Sequence, residues 1–297
     1  MFTTVLSTAP GRALGAVTVT ALRDAWGGGE IRWLKGGEAA EFDLPRPTDV
    51  AGDVAGARAG LDALGVDVNV LPAEGRRKRL LLADMDSTMI RQECIDELAA
   101  EAGVGDRVAA ITARAMNGEI GFEGALRERV GLLAGLDMGV IDRVLATRIE
   151  PMPGGATLIA TMKAHGARAE LVSGGFTAFT AAVAGWLGFD GHRANVLRVA
   201  DGRLTGEVED PILGREAKVA RLDALLAEMG AEPVDVLAVG DGANDLGMLG
   251  RAGLGVALHA KPAVQAEAEV VVNHGDLTAL LWLQGYRHEQ VVEPSRP

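Results

Sequence analysis

The feature that most constrains this chain is the run Leu80-Leu81-Leu82-Ala83, which stops abruptly at Asp84-Met85-Asp86-Ser87-Thr88. A short apolar segment bounded by Arg76-Arg77-Lys78-Arg79 on one side and a carboxylate on the other predicts a strand buried on both faces. Side chains two apart on a strand point the same way, with Cα atoms ~6.6 Å apart at ~3.3 Å per residue. Asp84 and Asp86 are therefore expected to converge just past the strand's C-terminal end, where open α/β sheets bind ligands. Two carboxylates held together repel unless a shared proton or a cation relieves them, and a hard cation such as Mg²⁺ is the usual solution.

The chain after this run alternates strand and helix patterns. A helix is expected over 156–165, a strand over 168–172, then Ser173-Gly174-Gly175-Phe176 and a helix to Leu187. Residues 195–200 and 203–208 read as a hairpin across Asp201-Gly202, and 215–229 as an amphipathic helix. A buried strand over 234–239 ends in Gly240-Asp241-Gly242-Ala243-Asn244-Asp245. A helix (246–252), strand (253–258), helix (261–268), strand (270–272) and helix (277–283) follow, and the tail from Tyr286 reads as loose. Such alternation argues for a parallel sheet. Between the first strand and this region, residues 91–150 are helical, too long for a crossover and too patterned for a loop. They read as a helical cap over the site.

Residues 1–74 form a separate segment with the order βαββαβ, the ferredoxin-like pattern. Its length and order resemble a small regulatory domain of the ACT type. The expected organisation is thus an N-terminal ACT-like α+β domain (1–74), a Rossmann-like α/β core (75–90 and 151–297) and a helical cap (91–150). The basic run 76–79 reads as a solvated linker in a chain this acidic.

Composition removes several classes of function. There are 29 Lys and Arg against 41 Asp and Glu, a net charge of −12, which argues against a general nucleic-acid or anionic-membrane binder. The single cysteine, Cys94, excludes an internal disulfide framework and reads as packing. No apolar run reaches ~20 residues, and no signal peptide is evident, so a cytoplasmic protein is expected. The five histidines, at 165, 192, 259, 274 and 288, have no metal-ligand spacing.

Three apolar strands each end in a polar cluster. Ser173 and its glycines, between a strand and a helix start, offer a hydroxyl and free backbone N–H groups to an anion. Asp241, Asn244 and Asp245 on a glycine turn suit Mg²⁺, although such a turn also serves as a structural metal loop. Lys218, on the helix after the hairpin, can reach a phosphoryl oxygen. The set offers a carboxylate nucleophile, a second carboxylate for proton transfer, a cation site and anion-binding donors. That inventory fits phosphoryl transfer through an aspartyl-phosphate.

These motifs, in this order, resemble those of the haloacid-dehalogenase-like phosphatases over residues 79–283. Within that superfamily, Glu93, Met116, Phe122 and Arg129 in the cap resemble the phosphoserine phosphatases as a group. The resemblance implies that Asp84 is the nucleophile and that Asp86 protonates the leaving hydroxyl and then deprotonates the attacking water. It implies that Asp84, the backbone carbonyl of Asp86, and Asp241 ligate Mg²⁺, with Asp245 in support. Ser173, the Gly174 N–H, Lys218 and Asn244 would hold the phosphoryl group. Glu93 would pair the substrate ammonium and Arg129 its carboxylate, the latter through a bidentate fork. The expected partners are a small-molecule substrate, phosphoserine, and a second copy of the chain in a homodimer, with no nucleic acid and no membrane. Alternatives are a phosphatase for phosphothreonine or a sugar phosphate, or a mainly regulatory amino-acid sensor built on residues 1–74.

Overall fold

The structure is a computed structural model and describes residues 1–44 and 50–294, with the backbone alone at 50 and 51. The first unit runs β1 (Phe2–Thr8), α1 (Ala16–Ala25), β2 (Arg32–Lys35), β3 (Ala39–Leu44), α2 (Val50–Asp62) and β4 (Val66–Pro72). Its sheet is antiparallel in the order β2-β3-β1-β4, the expected ferredoxin-like arrangement. One face buries Leu6, Val19, Phe42 and Val68 in a core of its own. Val5, Leu34, Ala39 and Leu71, from the strands of the same sheet, join the main hydrophobic core instead. This alternation along β1 is the period-2 pattern of a strand covered on both sides.

The second unit begins with β5 (Leu80–Ala83), and its four residues are all buried. The helices α3 (Cys94–Glu101), α4 (Gly105–Met116), α5 (Phe122–Gly131) and α6 (Gly139–Thr147) follow. The chain returns through α7 (Gly155–Ala164), β6 (Arg168–Phe176), α8 (Thr177–Leu187) and β7 (Gly191–Asn195). A hairpin of β8 (Leu197–Ala200) and β9 (Arg203–Val208) precedes α9 (Arg215–Met229). The last elements are β10 (Val236–Gly240), α10 (Leu246–Arg251), β11 (Leu254–Leu258), α11 (Pro262–Gln265), β12 (Val270–Val272) and α12 (Ala279–Leu283). The six-stranded sheet has the order β12-β11-β10-β5-β6-β7, and all its pairings are parallel. The central position of β5, between β10 and β6, brings the three polar strand ends together.

Three local readings need correction. Residues 195–200 are not one strand. The chain breaks at Val196 into the sheet's edge strand β7 and the hairpin strand β8. Gly191-His192-Arg193-Ala194-Asn195 has no apolar run, because a partly exposed edge strand does not require one. The basic segment 76–79 is not simply solvated. Arg76 pairs with Glu41 at 2.7 Å and donates to the carbonyls of Trp282 and Leu283, while buried Lys78 donates to the carbonyls of Gly75 and Val234. The tail is docked as far as it is described. Tyr286 is fully buried beneath the Arg77 guanidinium, which lies 3.5 Å from its ring centroid, and Glu293 accepts from Thr157.

The two units are joined by side chains that imitate backbone pairing. Asn69 of β4 donates to the Val271 carbonyl at 2.8 Å and accepts its N–H at 3.0 Å, covering the edge of β12. Asp67 accepts the N–H groups of Asn273, His274 and Gly275. An unpaired sheet edge is a pairing hazard, and this arrangement closes it. On the far side, the β8–β9 hairpin bonds to the loop after α5 through Gly135, Leu136 and Met138. Among the described residues, no helix is long and apolar enough to cross a membrane.

Candidate active site

The site lies at the C-terminal ends of β10, β5 and β6, beneath α4 and α5, in an open cleft of about 1280 Å³. Asp84 follows the last residue of β5, and its N–H still pairs with the Val239 carbonyl at 3.0 Å. The chain then leaves the strand and coils, the N–H groups of Thr88, Met89 and Ile90 all turning back to the Met85 carbonyl. The i, i+2 geometry of a strand therefore does not extend to Asp86. Both carboxylates nevertheless line the cleft, because the coil folds Asp86 back over the strand end.

Asp84, Asp241 and Asp245 each offer a carboxylate oxygen within 4.8 Å of the others. Lys218 of α9 enters from behind, its Nζ 2.7 Å from Asp84 and 2.6 Å from Asp245. All three of these side chains are almost completely buried. Burial and the Asp245 charge hold Asp84 well above the usual carboxylate range, against the pull of Lys218. Burial and Asp245 likewise push Asp241 up to about 6, although the Thr88 hydroxyl donates to it at 3.0 Å. Lys218 is held above the ordinary lysine value by Asp84 and Asp245 in spite of its burial. One ammonium thus faces three clustered carboxylates. An all-oxygen donor set with uncompensated charge suits a hard divalent cation.

Asp86 stands apart from that cluster. One oxygen accepts the Cys94 N–H at 3.0 Å and the other lies 3.4 Å from the Ser173 hydroxyl. Burial and the Glu93 charge push it up to about 6, opposed by the Cys94 N–H. Cys94 itself is buried at the start of α3, as packing would require. Gly175 lies against this carboxylate; a Cβ there would sit 2.7 Å from Asp86 Oδ2.

Ser173, Gly174 and Gly175 lie directly ahead of a helix start, as expected, but the strand does not end before them at Val172. β6 continues through Phe176 with a register shift against β7, and α8 begins at Thr177. The glycines let the strand bulge rather than end, and the Gly175 N–H bonds to Ser173 Oγ at 2.8 Å. The N–H groups expected to meet an anion therefore sit on a strand bulge that leads straight into the N-terminus of α8. Asn195, which had no role in the sequence reading, fixes it. Its amide donates to the Gly174 carbonyl at 2.8 Å and its oxygen accepts the Leu213 N–H at 2.7 Å. No sequence signal marked it, because its strand has no apolar run and its burial follows only from the fold.

The cap supplies the opposite wall. Glu93, Phe122 and Arg129 line the cleft with Asp86, Gly174 and Asn244. Arg129 donates to the Ala125 carbonyl through Nε, and burial lowers its pKa against the attraction of Asp96, Glu93 and Asp86. The Phe122 ring reaches across to the core, so close to Gly174 that a Cβ there would lie 3.3 Å from it. Asp245 and Lys218 do not line the cleft but are buried behind Asp84.

The family model for haloacid dehalogenase-like hydrolases matches residues 81–250. The chain belongs to the haloacid dehalogenase-like hydrolases. Within this family it is similar to a phosphoserine phosphatase of Streptomyces coelicolor, 47% identical over 77% of this chain and 56% of that one. The matches to the first three curated relatives span 56%, 65% and 65% of their lengths, less than two thirds in each case. Among solved structures, a hydrolase of this family from Salmonella enterica serovar Typhi superposes with a TM-score of 0.86 at 28% identity, covering 95% of this chain and 98% of that one. A probable phosphoserine phosphatase from Vibrio cholerae superposes at 0.78 and 31% identity, covering 97% and 88%. Both coverages include the N-terminal unit as well as the hydrolase core of the family.

Proposed function

We propose that this hydrolase cleaves O-phospho-L-serine to L-serine and phosphate, with Mg²⁺ as cofactor. The observation that carries the reading is the cleft itself: Asp84 and Asp86 on the core face Glu93 and Arg129 on the cap. A carboxylate and a guanidinium opposite a phosphoryl-transfer site match the ammonium and carboxylate of an amino acid. A sugar phosphate offers neither charge. The similarity to phosphoserine phosphatases supports the same substrate.

Asp84, Asp241 and the Asp86 carbonyl would hold the cation, with Asp245 in support. When bound, Mg²⁺ neutralises phosphoryl charge and keeps Asp84 ionised. Asp84 attacks phosphorus, and the bond from phosphorus to the serine oxygen breaks. Protonated Asp86 gives its proton to that oxygen, a role suited to a carboxyl raised to about 6. Ionised Asp86 then takes a proton from water, which attacks the aspartyl-phosphate and releases phosphate and free Asp84. The Ser173 hydroxyl, the Gly174 N–H, Asn244 and Lys218 hold the phosphoryl oxygens. For Lys218 this means exchanging part of its contact with Asp84 for the substrate.

The proposed organisation is an ACT-like domain over 1–74, a core over 75–90 and 151–297, and a cap over 91–150. Assembly as a homodimer is tested by sedimentation, and a cytoplasmic location by fractionation. Trapping tests the chemistry. Acid-quenched enzyme turning over phosphoserine with Mg²⁺ should carry one phosphoryl group, mapped by mass to Asp84 and absent from Asp84→Asn. Phosphate release with no label on Asp84 would refute the covalent route.

A further inference from the structure

We infer that Ser87 is a positioning residue for substrate recognition, holding Glu93 where it meets the substrate ammonium. The inference rests on the phosphoserine reading and deepens it. Ser87 has φ +54°, one of three non-glycine residues with positive φ among those described. A non-glycine residue in this region carries a backbone cost, and such strain collects where a site demands it. Here the strained turn aims a hydroxyl. Ser87 Oγ donates to Glu93 Oε1 at 2.7 Å, while the Ser87 N–H bonds to the Gln92 carbonyl at 3.2 Å.

The contact solves an electrostatic problem. Glu93 lies close enough to Asp86 to raise its pKa, so the two carboxylates repel. Glu93 is also exposed and precedes the first turn of α3, where its side chain makes no capping bond. Left alone, it would swing into the cleft's solvent, away from Asp86. The Ser87 hydroxyl ties one oxygen down. Among the described residues the other oxygen has no hydrogen-bond partner, which leaves it for a cation. Because Ser87 adjoins Asp86, the same turn sets the distance between proton donor and ammonium site.

The test uses the full-length enzyme with Mg²⁺ and two substrates, phosphoserine and p-nitrophenyl phosphate, which has no ammonium. Ser87→Gly removes the hydroxyl at no backbone cost, and Ser87→Ala removes it with the left-handed strain retained. Both variants should raise KM for phosphoserine about 5- to 10-fold, the order expected for the net loss of one exposed hydrogen bond. Their kcat for phosphoserine and their turnover of p-nitrophenyl phosphate should stay within about twofold of wild type. In a Glu93→Ala background, Ser87→Gly should add less than about twofold, because the residue it positions is gone. An unchanged KM, an equal loss on both substrates, or full additivity with Glu93→Ala would overturn the inference. Wild-type enzyme without preference for phosphoserine would remove the substrate reading, and the inference with it. That failure is visible before any variant is made.

Discussion

Replacing Lys218 with methionine tests the electrostatics of the site without reference to any substrate. The ammonium lies 2.7 Å from Asp84 and 2.6 Å from Asp245, and all three side chains are at most 7% exposed. At an effective dielectric constant of about 20, each contact is worth about 6 kcal/mol of Coulomb attraction. Most of that is offset by the desolvation of the lysine and of the two carboxylates. Removing one partner of a buried pair nonetheless leaves uncompensated charge, at a net cost of about 3–5 kcal/mol. Methionine keeps the volume, so cavity formation adds little. Metal-free Lys218→Met should therefore melt about 10 °C below wild type, at roughly 2–4 °C per kcal/mol for a chain of this size. Saturating Mg²⁺ should recover more of the loss in the variant than it adds to wild type, because the vacated charge favours the cation. Calorimetry in chelator and in Mg²⁺ measures both. A melting temperature within about 2 °C of wild type in chelator would refute the claim that Lys218 neutralises the cluster.

Other outcomes follow from the same structure. Asp84, Asp86 and Asp241 all have folded pKa values above the ordinary carboxylate value of 3.8, with Asp86 and Asp241 at about 6. The folded protein thus binds more protons than the unfolded chain between those limits, so metal-free stability should fall as pH rises from about 4 through about 6. Urea titrations at stepped pH check the sign, and Mg²⁺ should flatten the trend. Gly175→Ala would place a methyl 2.7 Å from Asp86 Oδ2. Displacement of that carboxyl should lower kcat by about 100-fold with the fold intact by circular dichroism. Asp67→Ala strands three N–H groups at the junction of the two units. It should cost about 2–3 kcal/mol in urea denaturation while leaving KM unchanged. Deleting residues 1–74 should leave measurable turnover, since none of the described residues of that segment lines the cleft.

The site was legible in the sequence wherever a residue's chemistry follows directly from its place after a strand. Asp84 and Asp241 follow strands in this way, and the parallel order β10-β5-β6 explains why separate stretches meet; Lys218 reaches them from the helix α9. Features that depend on backbone geometry were not legible. The coil after Ala83 replaces the expected strand geometry at Asp86, and a bulge at Ser173 carries β6 past its expected end at Val172. Neither departs from the apolar pattern, so periodicity could not report them. Asn195 and Ser87 matter through side-chain hydrogen bonds to residues distant or turned back in space. The docked tail was missed because its anchor is one buried aromatic, Tyr286, rather than a periodic face. Asn69 and Asp67 lie at polar positions of β4, and only the presence of β12 beside them gives those side chains a function.

The most direct measurement is phosphate release in Mg²⁺ from phosphoserine, phosphothreonine and a sugar phosphate, for wild type, Asp84→Asn and Glu93→Ala. The expected result is strong preference for phosphoserine in wild type, no turnover by Asp84→Asn or in chelator, and loss in Glu93→Ala of the preference over the sugar phosphate, which lacks the ammonium. Equal turnover of all three esters, unaffected by Glu93→Ala, would contradict the recognition of an amino acid by the cap. Turnover that survives Asp84→Asn would contradict the chemistry itself.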